Sequence, residues 1–261
     1  AFDAIKDNLI ERVGQVYSDC VGISLGRFGL LGNSHHTIIE HNVVRNCPYT
    51  GISIGWSLDD NDQNCHDNVI QFNRIHDVMQ LHDDGGGIYS LGRMTNGLIA
   101  GNYIHGITPS SYHGGSAIAG IYLDNGSCYK TVRSNICDLV PEAFFASNPP
   151  NYSNTFQHNS YNGPLGNISA LNTLVGNTAH AAPNWPDSVL SLLPLAGLEG
   201  GYRDIDPLAT SANLRLQAIS KSSNGIVAFD VVTSPNAIIA VEMMVVKMEQ
   251  GWDRVRAASF A

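Results

Sequence analysis

Charge is scarce in this chain of 261 residues. Only 14% of them are Asp, Glu, Lys or Arg, and 14 basic against 23 acidic residues leave a formal net charge of −9. The Lys and Arg residues are scattered, so the electropositive footprint that nucleic acid requires is missing. Long apolar runs are missing as well. None approaches the roughly 18 residues of a membrane span, and the longest, NAIIAVEMMVV (236–246), is broken by Glu242 and reads as a buried strand or a short helix. Neither nucleic acid nor a membrane is therefore an expected partner. Five irregularly spaced cysteines (Cys20, Cys47, Cys65, Cys128 and Cys137) match neither a zinc motif nor a disulfide framework, and read as small buried hydrophobes. The chain begins at Ala1 with no initiator Met or signal peptide, as a mature or excised chain does. With 43% hydrophobic residues the composition is still globular.

What the chain does have is a repeat. Six segments align on a shared Asn: IKDNLIERV (5–13), IEHNVVRNC (39–47), IQFNRIHDV (70–78), IAGNYIHGI (99–107), VRSNICDLV (132–140) and FQHNSYNGP (156–164). The shared residues are Asn8, Asn42, Asn73, Asn102, Asn135 and Asn159, spaced by 34, 31, 29, 33 and 24 residues. Apolar residues flank each Asn at alternate positions, the pattern of short half-buried strands. A second element follows each of the first five: VGISLG (21–26), TGISIGW (50–56), GGIYSLG (86–92), AGIYLDNG (119–126) and EAFFASN (142–148). Each carries Gly or Ala, then an apolar residue, then alternation.

Short strands with a recurring Asn predict an all-β chain, a right-handed parallel β-helix or solenoid. Coils stack in register, apolar side chains fill the core, and an Asn at the same bend of each coil forms a ladder while tolerating the turn's backbone. The coils are expected over residues 1–178. Residues 179–261 are expected to form an irregular C-terminal tail or capping segment with a short helix, N-capped by Asp187, and further strands. Because the first repeat begins at Ile5, an additional chain or a preceding segment is expected to cover the N-terminal coil.

Carboxylates cluster where the chemistry would be. Asp83 and Asp84 enter the second element of the third repeat, and Asp124 ends that of the fourth, where the other repeats carry Gly26, Gly55 and Leu91. Glycosidic cleavage needs two carboxyl groups roughly 5–9.5 Å apart, and neighbouring coils are spaced to supply them. On straight strands, however, the seven-residue offset between Asp84 and Asp124 would be about 23 Å. The pair meets only if the chain folds back at Gly85–Gly87, which three glycines permit. Each aspartate also fits a plain turn role, Asp before Gly.

Trp56, Tyr89 and Tyr122 fall at outward positions on successive coils and offer flat faces for sugar rings. His82, beside the acidic pair, would orient a carboxylate or bind substrate. His76 and His105 occupy one repeat position and read as a stacked structural pair. His35 and His36 lie in a loop of little specificity, and no metal site is expected.

The segments NRIHDVMQLHDDGGGIYSLG (73–92), GLIAGNYIHGI (97–107), GIYLDNGS (120–127) and AGLEGGYRDI (196–205) resemble those of parallel β-helix glycoside hydrolases of family 141 and its relatives in family 120. Asn125 stands where the family segment often has a further acid. The resemblance implies a secreted or periplasmic glycosidase cleaving a plant or microbial polysaccharide, xylan-type or fucose-containing. Its catalytic aspartates would be Asp84 and Asp124, with Asp83, His82, Tyr89, Tyr122 and Trp56 in the sugar-binding groove. No cofactor is expected for that chemistry. Two alternatives remain open from the residues: a calcium-dependent polysaccharide lyase or epimerase on the same scaffold, with the grouped acids holding the cation, and a non-catalytic glycan-binding β-helix.

Overall fold

The structure is a computed structural model. It describes residues 3–26, 34–181 and 185–206, and beyond them the backbone of four strands, Arg215–Lys221, Val227–Val232, Glu242–Val246 and Trp252–Arg256. The chain divides into two units, Ala1–Gly200 and Gly201–Ala261. In the second, the four strands form two antiparallel pairs. The strand Glu242–Val246 covers part of the apolar run 236–246, and the rest of that run lies outside the described residues.

The first unit holds three sheets in which every pairing is parallel. The first two sheets have seven strands each and the third has five, so each of the first five coils supplies one short strand to each sheet. The third coil, for example, gives Val69–Gln71, Arg74–His76 and Gly85–Ser90, and the fourth gives Gly97–Ala100, Tyr103–His105 and Ile118–Leu123. This stacking is consistent with the solenoid the repeat predicts. Strict register puts like residues above one another. Ile39, Ile70, Ile99, Val132 and Phe156 form one fully buried column, and Val44, Ile75, Ile104 and Cys137 form another. Each such side chain contributes about 1.5–3 kcal/mol by leaving water. Four of the cysteines are buried and all five are free, with Cys20 exposed. Among the described residues no helix is long and apolar enough to cross a membrane.

The asparagines form the expected ladder, with a seventh rung at Asn177 that the alignment omits. The backbone N–H and the side-chain Nδ2 of each Asn both donate to Oδ1 of the Asn on the next coil, from Asn8 through Asn42, Asn73, Asn102, Asn135 and Asn159 to Asn177. From Asn42 on, Nδ2 also donates to a carbonyl of the preceding coil, such as Asn102 to Ile70 O at 2.9 Å. One expectation is corrected. The residue that takes the left-handed conformation is not the Asn but the one before it: Asp7, His41, Phe72, Gly101, Ser134, His158 and Gly176, with φ of 52–62°. The side-chain bonds of the Asn hold that costly backbone in place, so the preceding position accepts almost any residue.

The "Gly or Ala" of the second element has a steric cause. Gly22, Gly51, Gly87, Gly120 and Ala143 stack in one column at the corner between the second and third sheets. A Cβ on Gly87 would sit 2.5 Å from Ile104 Cγ2 and 2.9 Å from Gly120 O, and one on Gly120 would sit 2.7 Å from Cys137 Sγ. Glycine lets the corner close onto the core. The short helix also appears, at Asp187–Leu190, but Asp187 does not cap it. Pro186, extended at φ −66° and ψ 156°, occupies the cap position without a side-chain bond, and Asp187 is the first helical residue. Beyond the helix the chain lies against the first coils. Gly197 N–H donates to Phe72 O, and Glu199 bridges to Lys6 at 3.2 Å.

Candidate functional site

The third sheet carries the acidic residues. Asp84 immediately precedes the strand Gly85–Ser90 and Asp124 immediately follows Ile118–Leu123, and these two strands pair with Gly85 opposite Ile118 and Ser90 opposite Leu123. The aspartates thus sit at opposite ends of one strand pair, yet side-chain contacts join them. The Tyr122 hydroxyl donates to Asp84 Oδ1 at 2.8 Å, Asn148 Nδ2 donates to the Tyr122 hydroxyl at 3.5 Å, and the same Nδ2 donates to Asp124 Oδ1 at 2.6 Å. The two carboxylate oxygens are therefore at most about 9 Å apart, under the upper limit of roughly 9.5 Å for carboxyls that flank a scissile glycosidic bond. On a straight strand their backbones would stand about 23 Å apart; the left-handed turn at Asp84 and the reach of the Tyr122 and Asn148 side chains close that distance.

The glycines contribute to this in a different way from the one expected. None of Gly85, Gly86 and Gly87 has a positive φ; the left-handed residue at the turn is Asp84 itself, at φ 59°. The glycines supply clearance. A Cβ on Gly85 would meet Thr50 Oγ1 at 2.6 Å and Tyr49 Cε2 at 3.0 Å, and one on Gly86 would strike the Ala119 carbonyl. The Tyr49 hydroxyl donates to the Asp84 carbonyl at 2.7 Å and fixes the turn.

Asp124 is buried and accepts hydrogen bonds on both oxygens, from the Tyr89 hydroxyl at 2.6 Å and from Asn148 at 2.6 Å. Asp83 turns the other way. Its Oδ2 accepts from the Ser116 N–H at 3.0 Å and so anchors the incoming strand of the next coil. Burial pushes the Asp83 carboxyl up, but the N–H groups of Ser116 and Gly114 outweigh it and hold it below the usual carboxylate range. His82 bonds to Ser18 Oγ at 2.9 Å and meets the Tyr49 ring edge-on at 5.5 Å, so it adjoins the cluster through Tyr49 and hydrogen-bonds to neither catalytic candidate. Trp56 lies just beyond the strand Ile52–Ile54 and is partly exposed.

Of the predicted aromatic stripe only Tyr89 and Tyr122 stack; the second coil places Ser53 beside Tyr89, and Trp56 lies three residues further on. Tyr89 and Tyr122 are 8% and 1% exposed and pack on each other at 5.4 Å, with Phe145 continuing the stack 4.4 Å from Tyr122. Their ring faces are covered, so they present hydroxyls to the aspartates and not platforms to a sugar. Tyr49, Asn148 and Phe145 were not singled out by sequence. Phe145 and Asn148 both fall within EAFFASN, and nothing in that segment marks Asn148 as a partner of Asp124.

Burial and the neighbouring carboxylates disfavour the phenolate. They push Tyr49 up to about 12, and raise Tyr89 and Tyr122 further, burial acting first and the bonds to Asp124 and Asp84 second. All three therefore remain donors through the alkaline range. The associated stability is complete below the unfolded tyrosine value of 10 and is lost as pH rises from there towards 12 and beyond. A spectrophotometric titration of the native protein should leave these three of its ten tyrosines protonated at pH 11, together with Tyr103, which burial and Asp138 raise, and Tyr152, which Asp60 raises. Ionisation of all ten near pH 10 would contradict the site as described.

Comparison with known proteins bears on the fold. No protein-family model matches the chain, and no curated protein does. A solved structure described as a glycoside hydrolase is similar, with a TM-score of 0.56 and 25% identity, over 77% of this chain and 28% of that one. This chain therefore spans less than a third of that protein's length. The likeness supports a glycoside hydrolase-like fold with parallel sheets.

Proposed function

We propose that this chain is a glycoside hydrolase of the right-handed parallel β-helix type, resembling family 141, with Asp84 and Asp124 as its catalytic pair. The observation that carries the proposal is the convergence of two carboxylates from adjacent coils to within about 9 Å. Asp124, an acceptor at both oxygens and held by two short bonds, suits the base or nucleophile. Asp84, held at Oδ1 by Tyr122 and leaving Oδ2 outside the described hydrogen bonds, suits the acid that protonates the leaving oxygen. Tyr49, Tyr89, Tyr122 and Asn148 are positioning residues. Asp83 and His82 border the site, with Trp56 a candidate for a more distant sugar subsite.

The substrate class follows from the resemblance: a xylan-type or fucose-containing polysaccharide, met in a secreted or periplasmic setting. Incubation with such glycans should release new reducing ends without unsaturated, ultraviolet-absorbing products. Unsaturated ends whose formation stops on chelation would replace the proposal with a lyase. Binding without turnover would replace it with a glycan-binding module.

A further inference from the structure

The geometry points to a second, separate site: His36, His66 and Asp67 form a binding site for a divalent metal ion of the zinc class, clipping the second coil to the third. The three residues come together through register. Bridges pair His35 with His66 and His66 with Thr95, and His36, Asp67 and Asn96 form a column of left-handed residues at φ 56°, 53° and 56°. One ligand atom from each of His36, His66 and Asp67 falls in a group whose members all lie within 4.8 Å of one another.

The distances suit an ion. His36 Nε2 is 3.7 Å and His66 Nδ1 is 2.6 Å from Asp67 Oδ2. Ligands on a tetrahedral zinc ion, bonded at about 2.0–2.2 Å, stand roughly 3.3 Å apart. The His36 span need close only slightly to reach this, and the His66–Asp67 contact, a direct hydrogen bond in this structure, opens as the ion takes the place of its proton. The ligands are also oriented from behind. Asn96 Nδ2 donates to Asp67 Oδ1 at 3.1 Å, and the Nδ1 atoms of His35 and His36 are 3.1 Å apart. His66 Nε2 is 3.2 Å from Asn64 Oδ1, and the His66 ring lies parallel to that of His35 at 5.1 Å. If Nε2–H donates to Asn64, the lone pair of His66 Nδ1 faces the carboxylate, a contact that only a proton or a metal ion makes favourable. Second-shell bonds of this kind set tautomer and ring angle in metal sites.

Two imidazoles and one carboxylate select zinc and its transition-metal neighbours over calcium or magnesium, which prefer oxygen. The three side chains are between 32% and 39% exposed, so an ion has access from solvent. The site is independent of the proposed catalytic pair and belongs to the corner that leads into the first sheet.

The test is calorimetric titration of the chelator-treated chain with zinc chloride, paired with thermal unfolding. The expected result is saturable 1:1 binding and a Tm higher by a few degrees at about a hundredfold excess over Kd. The double variant His36→Ala, His66→Ala should bind at least tenfold more weakly and lose the Tm rise, with an unchanged circular dichroism spectrum. His35→Phe, which keeps a ring against His66 and removes both His35 nitrogens, should weaken binding by about 10–100-fold. The inference is overturned by the absence of 1:1 binding, by equal affinity in the double variant, or by calcium binding as tightly as zinc.

Discussion

Asp84→Asn and Asp124→Asn should each lower glycan hydrolysis by about 10²–10⁴-fold or more, while Tm shifts by no more than a few degrees. Each substitution keeps the side-chain shape and removes the group that moves a proton or attacks the sugar. Asp124 has the larger expected effect, because both its oxygens are bonded and an amide presents only one acceptor. The two assigned roles separate under rescue. In Asp124→Ala the vacated volume admits a small anion such as azide or formate, which restores turnover in place of the lost carboxylate. Asp84→Ala should instead recover activity only on substrates whose leaving group needs no protonation. Release of reducing sugar from a xylan-type or fucose-containing polysaccharide is the measurement. Full activity in both Asn variants would remove the pair from the mechanism.

Asn102→Ala should cost about 4 kcal/mol and lower Tm by about 10 °C, whereas Asn8→Ala should cost about 1 kcal/mol. Asn102 is fully buried. Its Nδ2 donates to Ile70 O, Ala100 O and Asn135 Oδ1, and its Oδ1 accepts from both the N–H and the Nδ2 of Asn73. Alanine removes the acceptor of the Asn73 N–H and the side-chain donor to Ile70 O, while Asn73 Nδ2, Ala100 O and Asn135 Oδ1 keep other partners; each buried group left unpaired costs roughly 1–3 kcal/mol. It also removes the side chain that fixes the left-handed turn at Gly101, φ 62°. Asn8 is the first rung, with Nδ2 bonded to Lys6 O in an exposed setting and to Asn42 Oδ1. Urea or thermal unfolding separates the two outcomes. Equal losses at both rungs would mean that the ladder is not a cooperative column.

The repeat was legible because its signals are local. Alternation across three or four residues states which side chains enter the core, and the Ile and Val positions of the alignment are the ones that stack. The Asn rung was legible for the same reason: one residue type performs one task at each bend. The left-handed residue before it was not, since Asp7, His41, Phe72 and Ser134 share no chemistry, only a conformation imposed by their neighbour. The Asp187 cap was misplaced because Pro186 fixes an extended backbone ahead of the helix without bonding a free N–H.

Site composition was legible in part. The pair Asp84 and Asp124 stood out as carboxylates that interrupt a repeat, and Tyr89 and Tyr122 as its outward aromatics. Burial then turned those aromatics from sugar platforms into hydroxyl donors. Tyr49 and Asn148 lie 35 and 24 residues from the aspartates they hold, on other coils. His36 and Asp67 are likewise 31 residues apart in sequence.

The sequence by itself determined the all-β repeat, the residues that stack and the positions of the exceptional acids, because each of these depends on a few adjacent residues. Only the tertiary structure decided which of the exceptional residues meet. Such meetings depend on loops of unequal length bringing successive coils into register, and on a corner tight enough to exclude every side chain larger than glycine's from Gly22 through Gly120.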